Sequence, residues 1–225
     1  MPDHHQDYQF CDLHHLIILL IFASAIVACI GIGVVLLEQY FTIGFNAFHF
    51  RPEQLGNYGT FKLAFIFNGS LIIASTSMFI AMIGLMSLPI GGLTKLVAWI
   101  GIYSSICLFM LGVLPLNVGH WHFVAHYNAV IATTLLGCTS LLAGIMYRAY
   151  FSKFLMLCSF LLLFFSISHI SHLDISDPQL LSPHVRHDEF CLDPVFAWCL
   201  VITHLLWDIA LALKVRKLVQ QHFSQ

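Results

Sequence analysis

Residues 16–37 read LIILLIFASAIVACIGIGVVLL, twenty-two positions with no charged residue. A helix needs about 20 apolar residues at 1.5 Å each to cross the ~30 Å hydrocarbon layer, so this run is long enough to span a bilayer. Five more runs of this kind follow, and the six expected helices lie at about 16–37, 63–86, 96–114, 123–147, 154–171 and 195–213. Each run is continuously apolar instead of alternating in polarity, which disfavours a transmembrane β-barrel. With no water to satisfy backbone groups in lipid, the reading is an all-α, polytopic transmembrane bundle of six helices in a single integral membrane domain covering 1–225.

Composition agrees. The chain of 225 residues is 59% hydrophobic and 9% charged, with a mean hydropathy of +0.87, whereas a soluble domain carries roughly 25% charged residues. Formal charge is −2, and no basic run exceeds the Lys214, Arg216, Lys217 group, so a nucleic-acid partner is not expected and the lipid bilayer is. Pro89, Gly91 and Gly92 separate the second run from the third, Pro115 ends the third, and Pro194 suits the first turn of the sixth. The stretch Ile26-Val27-Ala28-Cys29 looks like a lipoprotein cleavage box. The apolar run continues past it to Leu37 without a basic leader, so a retained helix is expected.

Lys95, Arg148, Lys153, Lys214, Arg216 and Lys217 lie on the side of the termini, against Arg51, Lys62 and Arg186 on the other. By the positive-inside rule the termini are expected in the cytoplasm. The opposite, extracytoplasmic face then collects eight histidines: His49, His120, His122, His126, His169, His172, His184 and His187. It also collects Glu53, Asp174, Asp177, Asp188, Glu189 and Asp193. His122 and His126 are four apart at the start of the fourth helix; His169 and His172 are three apart at the end of the fifth. Such spacings put imidazoles on one helix face. If the fourth and fifth helices are neighbours, His122, His126, His169, His172 and Asp174 form a candidate metal set with ligand types suited to zinc. Amphipathic histidine tips at headgroup level, and a proton-sensing group, are the alternative readings of the same residues.

Deeper in the spans stand Asn68, Asn128, His204 and Asp208. An intramembrane acid costs roughly 2.5–3.5 kcal/mol on insertion scales and needs a partner, so His204 and Asp208, one turn apart, are expected to face the bundle. A hydrogen bond between them, or a clamp from Asp208 to Asn68 or Asn128, is the expected satisfaction. Gly137, Ser140 and Gly144 offer a small-residue surface for close helix packing.

Two stretches resemble a known family. Residues 50–56 (FRPEQLG) followed by 67–72 (FNGSLI), and residues 112–122 (GVLPLNVGHWH), resemble the polar loop, "N-G-x-L" helix start and "G-x-F-P-x-[DN]" turn of the domain-of-unknown-function 998 family, DUF998, with a distant likeness to the Frag/DRAM group. Asn68, Pro115, Asn117 and His122 match, while Leu114 stands where an aromatic is usual and the 177–193 loop has no counterpart. The resemblance implies a small six-helix protein of the bacterial inner (plasma) membrane and assigns no activity. Three function classes follow: a non-enzymatic lipid-interacting or scaffolding bundle; a metal-dependent hydrolase whose zinc is held by the His/Asp set, with Asp174 or Asp188 as base; and a proton-linked transporter using His204 and Asp208.

Overall fold

The computed structural model describes residues 4–88, 92–148, 151–173 and 192–223, with side chains for 13–217 of these. Among them the chain is helical and contains no strand. Six long helices follow in order: α1 (His4–Ile43), α2 (Ala64–Ser87), α3 (Gly92–Val113), α4 (His120–Met146), α5 (Lys153–His172) and α6 (Leu192–Phe223). All six are long and apolar enough to cross a membrane. Large apolar side chains such as Leu19, Phe41, Trp99, Leu142 and Ile202 point outward, as a lipid-facing surface requires.

Two helices are longer than their apolar runs. α1 covers 4–43 where 16–37 was expected, and α6 runs to Phe223 where 213 was expected. Hydropathy marks where a helix meets hydrocarbon. The backbone ladder can run on past it: α1 contains no proline and stops at Gly44, whose φ of +65° suits glycine. No proline or glycine follows Leu213 to stop α6. The four other helices fall within about four residues of their expected bounds, as is usual for helix ends read from sequence.

Each helix packs on its neighbours in sequence, and α6 returns to pack on α1, so the bundle is a closed ring. At the end of the ring that carries the termini, the centre is filled by side chains from all six helices, including Ile21, Met82, Val97, Leu136, Leu162 and Trp207. The opposite end is closed by the connection between α1 and α2. That connection forms two short 3-10 turns, Gly44–His49 and Pro52–Gly56, and buries Pro52, Gln54, Leu55 and Gly56. Leu55 and Phe61 from this plug pack with Val35 and Phe67 in a second core.

Small residues bring helices α4 and α5 together. A Cβ on Gly137 would stand 2.9 Å from the backbone nitrogen of Leu163 and 3.1 Å from the Ser159 carbonyl oxygen, whereas one on Gly33 meets nothing within 4 Å. Backbone cannot yield as a side-chain tip does. Gly137→Ala is therefore expected to destabilise the bundle by about 1–3 kcal/mol, and Gly33→Ala to be neutral or slightly stabilising. Thermal melts of the two variants in detergent check the contrast.

Candidate functional site

Four separate segments deliver ionisable side chains to one buried cluster beneath the plug. Arg51 and Glu53 come from the connection between α1 and α2, His126 from the first turns of α4, His169 from the last turn of α5 and Asp193 from the first turn of α6. The helix ends suit these charges: Asp193 faces the positive end of α6 and His169 the negative end of α5. Arg51 Nε lies 2.9 Å from Glu53 Oε1, and a second guanidinium nitrogen lies 3.5 Å from Asp193 Oδ2. His169 Nδ1 lies 2.9 Å from Asp193 Oδ1, and its Nε2 is 3.2 Å from His126 Nε2. Glu53 Oε1 is 4.0 Å from that same His126 nitrogen. These are ion-pair distances; Glu53 Oε1, His169 Nδ1 and Asp193 Oδ1 have no aligned hydrogen bond.

A carboxylate only accepts, so the 2.9 Å approach of His169 Nδ1 to Asp193 favours the tautomer with hydrogen on Nδ1, which leaves Nε2 to meet His126. Among the described residues the cluster sets two carboxylates, Glu53 and Asp193, against one guanidinium, Arg51. Burial alone would push the Glu53 carboxyl up. The Arg51 guanidinium, the two imidazoles His126 and His169, and its own backbone N–H outweigh that and bring it down to about 2.

His122 stands one turn from His126, its ring stacked on that neighbour at a centroid separation of 6.4 Å. Its Nδ1 donates to the Leu114 carbonyl at 2.6 Å, which leaves Nε2 buried without a partner. His172 is exposed, hydrogen-bonded to the Ser168 carbonyl and packed on Phe196. Asp174 lies outside the described residues. Of the five residues in the candidate zinc set, the structure thus joins His126 to His169 directly and keeps His122 adjacent. Among the described residues no three His, Cys, Asp or Glu side chains are grouped so as to hold a metal ion. Arg51, Glu53 and Asp193 complete the cluster instead. Their signal in the sequence was charge beside proline, Arg51-Pro52-Glu53 and Asp193-Pro194, in a chain with few charges.

Below the cluster a cavity of about 150 Å³ opens inside the ring. Its walls are mostly apolar, with Leu71, Met78, Leu108 and Val201 among them. Glu53 and His126 border it at the plugged end, and His204 and Asp208 line it deeper in. Asp208 lies about 22 Å along α6 from Asp193 at 1.5 Å per residue. His204 and Asp208 do face the bundle, but His204 Nε2 is 3.9 Å from Asp208 Oδ1, too far for a hydrogen bond. The expected clamp to an asparagine is corrected as well. Asn68 donates to the Gly56 carbonyl at 2.9 Å, holding the plug, and Asn128 accepts from the Tyr103 hydroxyl and donates to Val124. Both amides serve nearer partners. Asp208 Oδ1 and Ser104 Oγ remain buried, with no hydrogen-bond partner in the protein.

Comparison with family profiles, curated proteins and solved structures finds no match. The site's own chemistry therefore carries the functional argument.

Two outcomes are expected from the cluster. Arg51→Gln leaves Glu53 and Asp193 without their cation and should lower stability by about 3 kcal/mol, read from thermal melts in detergent. Because the Glu53 carboxyl titrates lower folded than unfolded, the unfolded chain binds more protons between pH 4.5, its ordinary value, and about 2. The stability it contributes is complete above that window and lost as pH falls through it. Glu53→Gln should flatten this part of a melting-temperature profile.

Proposed function

We propose that this integral membrane protein is non-enzymatic and receives part of a lipid-like, amphipathic molecule inside its helix ring. The observation that carries the reading is the cavity: an apolar-walled space within the bundle with ionisable groups at two levels. A bundle that served only as a scaffold gains stability from every methylene packed into its centre, so an interior left unfilled there costs it packing energy. A volume near 150 Å³ suits a ring or a short chain segment and not a whole lipid tail. The polar end of such a molecule meets carboxyl, imidazole or hydroxyl groups while its apolar part meets leucine and methionine.

Residence in the bacterial inner membrane with cytoplasmic termini is part of the proposal, supported by the Lys/Arg asymmetry, as is the likeness to the domain-of-unknown-function 998 family. The residues that carry that likeness anchor the plug: Asn68 to Gly56, and Asn117 Oδ1 to the Tyr58 N–H at 3.0 Å.

Lipid mass spectrometry of the purified protein tests the reading. An amphipath is expected to co-purify with the parent and to be depleted in Ala129→Phe, where the new ring fills the cavity wall. Equal amounts in both folded proteins would overturn it. For orientation, Tyr58→Cys in a cysteine-free background should react with an impermeant thiol reagent in intact cells, and Lys95→Cys only after permeabilisation; both side chains are exposed.

One observation favours a second reading, proton-linked transport. Ionisable groups stand at two levels of the ring, Glu53 and His126 at the plugged end and His204 and Asp208 deeper in, and the cavity lies between them. Flux in proteoliposomes that follows a pH gradient and is lost in Asp208→Asn would select it.

A further inference from the structure

The cavity has two buried acceptors facing it that the protein leaves unsatisfied. Asp208 is 4% exposed and Ser104 is 2% exposed; both line the cavity, and neither Asp208 Oδ1 nor Ser104 Oγ has a hydrogen-bond partner. Three other hydroxyls along the wall are occupied. Ser75 donates to the Ile72 carbonyl, Ser105 to that of Gly101 and Thr133 to that of Ala129, each within its own helix. Asp208 and Ser104 stand out against them as groups available to a guest.

The chemistry of that guest follows from charge. A carboxylate in the bilayer interior is costly unless it is paired, and a hydrogen bond to a charged partner is about twice as strong as one between neutral groups. His204, at 3.9 Å, does not satisfy Asp208. The outer mouth repeats the sign among the described residues, where Glu53 and Asp193 stand against Arg51. A carboxylate-bearing guest would meet an acid at either end. An amine on an apolar body meets a counter-charge at Asp208, a hydroxyl at Ser104 and hydrocarbon elsewhere.

We infer that the cavity is a binding site for lipophilic amines, with Asp208 as the anchor of the nitrogen and Ser104 as a second hydrogen-bonding group. The inference rests on the reading of the bundle as a receiver of amphipathic molecules and names the headgroup class. Trp207, fully buried beside Asp208, also lines the cavity, so the guest's apolar body lies against an indole as well as aliphatic side chains. The two clusters divide the work: the outer one closes the plug onto the ring, and Asp208 recognises the guest.

The test compares three probes of one body and three heads, benzylamine, benzyl alcohol and benzoate, by the rise in melting temperature of the full chain in detergent at neutral pH. Benzylamine is expected to bind about tenfold or more tighter than benzyl alcohol, with benzoate weakest. Asp208→Asn, nearly isosteric, should erase the amine preference while leaving benzyl alcohol binding in place, which also shows that the variant is folded. Ser104→Ala should weaken the amine by a smaller factor. Equal affinity for amine and alcohol in the parent overturns the inference but leaves the cavity reading standing, and an amine preference that survives Asp208→Asn removes Asp208 as the anchor. If none of the three probes stabilises the parent, the inference fails. If in addition no amphipath co-purifies, the reading beneath it fails too.

Discussion

Six helices that each pack mainly on the next, with the last packing on the first, do not fill their own centre along its whole length. At the usual 8–10 Å between packed axes, a regular ring of six leaves room for a seventh rod in the middle. The contact of α1 with α6 closes this ring, and the interior is shared out accordingly. Toward the termini, side chains from all six helices meet and exclude space. Toward the other end, the connection between α1 and α2 folds inward as the missing material. The cavity is what lies between these two fillings, so its position follows from the closure of the ring.

The plug is held by directional bonds instead of by bulk. Trp198 on α6 donates its indole N–H to the Phe50 carbonyl at 2.9 Å, Asn68 on α2 holds Gly56, and Asn117 before α4 receives the Tyr58 N–H. Arg51 then ties the plug to α6 through Asp193, and Asp193 ties α6 to α5 through His169. A short stretch of chain is thereby fastened to most of the ring. Buried ion pairs of this kind add little net stability over an apolar filling but make each partner costly to lose. They favour a fixed seating of the plug over a merely hydrophobic one.

Much of this fold is legible in the sequence because a bilayer imposes a length, and apolar runs of that length leave few alternatives. The pairing of His126 with His169 was also within reach, since helical spacing and a short turn between α4 and α5 bring their ends together. The remaining members of the cluster were not. Arg51, Glu53 and Asp193 meet across more than a hundred residues through the closure of α6 onto α1, and no local periodicity encodes that contact. The expectation for Asp208 failed for a related reason. Asn68 and Asn128 lie at a suitable depth, but each finds a nearer carbonyl or hydroxyl, and competition between hydrogen-bond partners cannot be read from spacing alone.

α6 also works as a lever. Asp193, Trp198, His204 and Asp208 ride on one continuous helix, so the two groups that grip the plug and the two that face the cavity are fixed to a single stiff rod. A helix transmits a shift along its axis from one end to the other with little compression. Any displacement of Asp208 along the helix axis would therefore be shared by Trp198 and Asp193, the two residues that latch Phe50 and Arg51.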